Sequence, residues 1–99
     1  MSFAVELHPK VTEELQESYE WYEERLEGLG LRLITSVNKR LSDIAEHPER
    51  YPKKNKNYHQ TTVYDFPYVI IYQILKQKKI VFVVHILHVK KNPASRYKQ

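Results

Sequence analysis

The sequence predicts an α+β fold in which a helical hairpin covers one face of an antiparallel-rich sheet, with the element order β-α-α-β-β-β. Three observations lead there. Val11, Leu15, Tyr19, Tyr22 and Leu26 recur at three- and four-residue steps, with glutamates filling the gaps. Two runs rich in Val, Ile and Tyr, VIIYQIL and IVFVVHILHV, flank the polar turn Lys76-Gln77-Lys78-Lys79 and read as a β-hairpin. The chain's only two glycines, Gly28 and Gly30, stand together where the first helical pattern stops, and so mark a tight corner between two helices.

In chain order, Phe3 to Leu7 alternates weakly and predicts a short first strand, which His8-Pro9 stops. Pro9 suits the first turn of a helix, where a missing N–H costs nothing. The first helix then runs over residues 10–26. The second carries Leu33, Ile34, Val37, Leu41 and Ile44 on one stripe and ends near His47-Pro48, because the residue before a proline is pushed out of the helical region. So short a corner makes the two helices an antiparallel hairpin. Residues 49–57 have no apolar period and predict a loop that leaves Lys53, Lys54 and Lys56 free to reach a partner. Residues 59–65 (HQTTVYD) predict a strand leading through Phe66-Pro67 into the hairpin. The last strand is apolar at nearly every position from Ile80 to Leu87, so both its faces need cover and it belongs inside the sheet.

Ninety-nine residues fit one domain, 1–99, with one modest core. There is no cysteine, which excludes a disulfide framework and thiolate metal sites and fits a cytoplasmic protein. The apolar runs are of strand length, so no membrane span or signal peptide is expected. No phosphate-cradling glycine loop, metal-ligand cluster or nucleophilic triad is found, and neither a metal nor a cofactor is expected. Charge is strongly divided. Residues 1–50 hold 6 Lys/Arg against 11 Asp/Glu, a net of −5, while residues 51–99 hold 10 Lys/Arg against Asp65 alone, a net of +9. A basic second half is what contact with a nucleic acid requires, and Lys53, Lys54 and Lys56 suit a backbone clamp that positions phosphates without reading sequence.

Titratable and phosphate-seeking groups gather where the last strand runs out: His85, His88, Lys90, Lys91, Arg96 and Tyr97. His85 and His88 are three residues apart and point to opposite faces of the sheet, with His85 expected to pack against the helices. His59 is expected at the surface. Tyr68 and Tyr72 share one face of their strand, where packing is the default.

The element order, Pro9 opening a long helix, His47-Pro48 ahead of a polar loop, Phe66-Pro67-Tyr68-x-Ile70-x-Tyr72, and His88-x-Lys90-Lys91-x-Pro93-x-x-x-Tyr97 together resemble the RelE/ParE superfamily of bacterial type II toxin–antitoxin toxins. The resemblance implies a toxin held by a cognate antitoxin that folds over its helices and sheet. It also implies one of two activities: ribosome-dependent mRNA cleavage in RelE-like members, or inhibition of DNA gyrase without nuclease chemistry in ParE-like members. On the first reading, which the positions of His88, the basic pair and Tyr97 favour, the ribosome and mRNA are partners. His88, Lys91 and Tyr97 would then be the catalytic residues, with Lys90 and Arg96 binding phosphate beside the loop lysines. The arginine common in that superfamily shortly before the FPY motif is missing, with His59 and Gln60 in its neighbourhood. A module of the same fold without toxicity is a third reading, and the oligomeric state, a homodimer included, stays open.

Overall fold

A computed structural model describes residues 2–91 of the chain. Its elements run β1 (Ala4–Leu7), α1 (Pro9–Arg25), α2 (Leu29–Glu46), β2 (Lys53–Asn55), β3 (Tyr58–Thr62), β4 (Tyr68–Leu75), β5 (Ile80–His88) and a short 3₁₀ turn, Val89–Lys91. The five strands form one mixed sheet in the order β1-β5-β4-β3-β2, parallel between β1 and β5 and antiparallel elsewhere. β5 is thus interior, as its continuous apolar run predicts.

Local chemistry sets the helix ends. His8 caps α1, its Nδ1 accepting the Lys10 N–H at 3.0 Å, and Pro9 occupies the first turn. Gly28, at φ 90°, turns the chain through the left-handed region that glycine tolerates best. Gly30 is then buried against α1, where a Cβ would collide with the Tyr19 carbonyl oxygen and lie 2.7 Å from Glu23 Cγ. The Glu23 carboxylate closes the corner by accepting the N–H groups of Gly28 and Leu31, each at 3.0 Å, and these bonds hold its carboxyl below the usual carboxylate range.

The core lies between the helices and one face of the sheet. Val11 of α1 and Leu33, Val37, Leu41 and Ile44 of α2 meet Tyr68, Ile70 and Tyr72 of β4 and Val81, Val83 and Ile86 of β5. Tyr68 and Tyr72 share this core face, as expected. Leu26 does not join it: it is the residue that ends α1, with an extended backbone, and stays 62% exposed.

Three expectations need correction. The loop predicted over residues 49–57 contains β2, which a two-residue turn at Lys56-Asn57 folds back onto β3. A Lys-Lys-Asn strand has neither alternation nor β propensity, so only its pairing with β3 creates it. The strand predicted over residues 59–65 ends at Thr62, before Asp65 turns the chain with a positive φ of 64°. Finally, Ile71 pairs with His85 and Tyr72 with Val83, leaving Val84 as a bulge. The extra residue reverses the alternation, so Ile86 and His88 fall on the helix side and His85 on the other.

Candidate functional site

At one end of the sheet, His88 faces α1 across a groove of about 430 Å³ lined by Glu17, Ser18, Trp21, Tyr22, Tyr68 and His88, with Lys90 at its rim. Aromatic side chains build its walls. Tyr22 meets Trp21 and Phe66 edge-on, with ring centres 5.0 and 5.3 Å away, and Tyr68 meets His88 edge-on at 5.4 Å. The Tyr68 hydroxyl donates to Ser18 Oγ at 3.1 Å, and the Arg25 guanidinium covers the outer ring of Trp21. Burial, with the neighbouring Tyr68 phenol second, raises the Tyr22 hydroxyl above its ordinary value. The FPY motif therefore works as packing: Phe66 and Tyr68 join the sheet to α1.

His88 itself is held in one tautomer. Its Nδ1 accepts the Lys90 backbone N–H at 3.1 Å, so the neutral ring keeps its proton on Nε2 and offers a donor. A further proton could enter the ring only at Nδ1, the atom that accepts the Lys90 N–H, and would break that backbone bond.

The other end of the sheet has a different construction. His59 is only 8% exposed, contrary to the surface position expected of it; its ring stacks on Tyr72 at 5.3 Å and its Nδ1 lies 2.8 Å from the Tyr51 carbonyl. The Tyr72 hydroxyl donates to the Pro48 carbonyl at 2.7 Å, and burial drives that phenol far above its usual value. Arg40 of α2 links this region to the far end of β3, donating to the Tyr51 hydroxyl at 3.0 Å and the Thr62 carbonyl at 2.7 Å while lying over the Tyr64 ring. The Tyr64 hydroxyl donates to Asp43, which raises its pKa.

The site residues expected from sequence do not all meet. Lys53, His59, Tyr72 and Val83 form one row across the sheet, whereas His88 pairs with Tyr68, four residues further along β4. Strand spacing and rise put the backbones of Lys53 and His88 about 14 Å apart across the strands and about 13 Å along them, roughly 20 Å in all. Lys53, Lys54 and Lys56 are exposed at the far edge; Lys90 is exposed beside His88. The Lys91 side chain, Arg96 and Tyr97 lie outside the described residues. Sequence reasoning did not group Trp21 and Tyr22 with His88, although their aromatic character was the available signal. Among the described residues, no group of three or more His, Asp or Glu side chains could hold a metal ion, and no helix is long and apolar enough to cross a membrane.

Comparison with solved structures identifies the fold. A ParDE toxin–antitoxin system from P. aeruginosa is similar with a TM-score of 0.75 and 11% identity, covering 88% of this chain and 96% of that one. A mutant E. coli RelE toxin in the free state gives 0.72 and 15%, covering 98% and 94%, and the intact E. coli RelBE toxin–antitoxin complex gives 0.61 and 17%, covering 86% and 94%. Two helices on a five-stranded mixed sheet are thus the fold of the RelE/ParE superfamily toxins. The family model for the ParE toxin of the parDE type II toxin–antitoxin system matches residues 5–93, and the chain belongs to that family. A comparison with curated proteins found no match.

Proposed function

We propose that this toxin acts by binding, as a ParE-like inhibitor of DNA gyrase, and that a cognate antitoxin neutralises it. The observation that carries the reading is the state of His88. The residue best suited to acid–base work has its Nδ1 bonded to the Lys90 N–H, and Lys53, of the lysines expected to clamp the nucleic-acid backbone, stands roughly 20 Å away by strand geometry. Membership of the ParE toxin family favours the gyrase reading, and solved relatives titled as a ParDE system and a RelBE toxin–antitoxin complex support the antitoxin.

Ribosome-dependent mRNA cleavage is the second reading. One observation favours it: Glu17, His88 and Lys90 line a single groove, so a carboxylate, an imidazole and an ammonium share one opening. The two readings part in a translating extract to which the purified chain is added, with primer extension along the message. Intact mRNA is expected. New ends at the ribosomal A site that vanish with His88→Ala would overturn the inhibitor reading and make this groove a nuclease site.

A further inference from the structure

We infer that the end of the sheet opposite His88 carries a phosphate-binding groove for the backbone of a nucleic acid, with Lys53 and Lys76 on its rims and His59 in its floor. The inference stands apart from the target proposed above, since it concerns different residues.

Two lysine groups far apart in sequence each send one member, Lys53 and Lys76, to the lining of one groove. Lys53, Lys54 and Lys56 come from β2 and its turn, and Lys76, Lys78 and Lys79 come from the turn between β4 and β5; all six are exposed. Between them lies a groove of about 440 Å³ whose lining includes Lys53, Asn57, His59, Gln73 and Lys76. Ammonium groups and side-chain amides are donors suited to phosphate oxygens.

The floor is what distinguishes the groove from an edge strand that lysines merely keep from pairing. His59 is more than nine-tenths buried and fixed by Tyr72 stacking, and its Nδ1–H is committed to the Tyr51 carbonyl. Nε2 is therefore the ring's one remaining hydrogen-bonding atom. The carbonyl partner at Nδ1 thus leaves Nε2 available to a ligand in the groove.

One carboxylate opposes this. Glu49 also lines the groove, and its Oε2 pairs with Lys76 Nζ at 3.2 Å with both side chains largely exposed. A pair so open to water is weak and can be displaced by a phosphate. Glu49 is thus a competitor whose removal should strengthen binding, which a general attraction to positive charge anywhere on the surface would not single out.

The test is a titration of the full chain with a fluorescent single-stranded oligonucleotide, DNA or RNA, at several salt concentrations. Lys53→Ala and Lys76→Ala should each weaken binding several-fold and lower the slope of log affinity against log salt by about 0.7 per lysine. Glu49→Gln should tighten it. In nuclear magnetic resonance spectra the His59 imidazole signals should move on binding while the Trp21 indole signal stays still. Unchanged affinity in the double lysine variant, or movement at Trp21 and His88 in place of His59, would overturn the proposal. Saturation of the His59 shift by inorganic phosphate, with nothing gained from the oligonucleotide, would overturn nucleic acid as the source of the phosphate.

Discussion

The two ends of the sheet solve opposite problems. At the His88 end, aromatic side chains from α1, the FPY segment and β4 wall a groove whose one histidine is held by a backbone bond. At the Lys53 end, a buried His59–Tyr72 pair is locked to the Pro48 and Tyr51 carbonyls, and charge is left to exposed lysines around it. Rigidity is thus on the floor of the second site and in the walls of the first. The lesson is that pairing register decides which chemically attractive residues share a surface.

Substitutions test this contrast. The largest effect is expected at Gly30, which lets α1 approach α2 and so holds α1 over the His88 end. Gly30→Ala should cost about 1–3 kcal/mol in urea unfolding, because the new methyl meets the Tyr19 carbonyl oxygen, which cannot swing aside, as well as the Glu23 and Tyr19 side chains. In the surviving folded protein, Trp21 and His88 signals should shift more than that of His59. Equal shifts at both ends would break the comparison.

Two tyrosine hydroxyls sharpen it. Tyr72→Phe orphans the buried Pro48 carbonyl and should cost about 1–3 kcal/mol, whereas Tyr68→Phe loses a partly buried bond to Ser18 and should cost about 0.5–1.5 kcal/mol. Denaturation of the two variants side by side checks the order, and a larger loss from Tyr68→Phe would reverse our assignment of the rigid floor.

Glu23 provides a pH test of the helix corner. Its folded pKa lies below its unfolded value, so its contribution is fully present above the ordinary carboxylate range and is lost as pH falls through the lowered folded pKa. Glu23→Gln should therefore be less stable than the unmodified chain near neutrality, with the gap closing in acid. A gap that does not depend on pH would mean the carboxylate charge is irrelevant to the corner. The smallest effect on stability belongs to Lys53→Ala: an exposed edge lysine should change it by no more than about 0.5 kcal/mol.

Much of the fold is legible in the amino-acid sequence. The stripe from Leu33 to Ile44, the glycine corner and the apolar run of β5 are local patterns, and each encodes its own element. What escaped depends on partners distant in sequence. β2 exists because β3 pairs with it, and the Val84 bulge, which sends His88 rather than His85 towards α1, is visible only in the register with β4. Of the candidate site, the residue types were legible and their grouping was not. His88 and Lys90 do stand together, but Lys53 finds Lys76, a residue no motif had joined to it. His59, expected at the surface, became a buried floor because Tyr72 lies opposite it in the sheet.

The most direct test of a toxin that acts by binding is a plasmid cleavage assay with purified DNA gyrase and increasing amounts of this chain. Our account predicts that linear plasmid accumulates once gyrase is denatured, and that adding the cognate antitoxin prevents it. Unimpaired supercoiling at every ratio of toxin to gyrase would contradict the account.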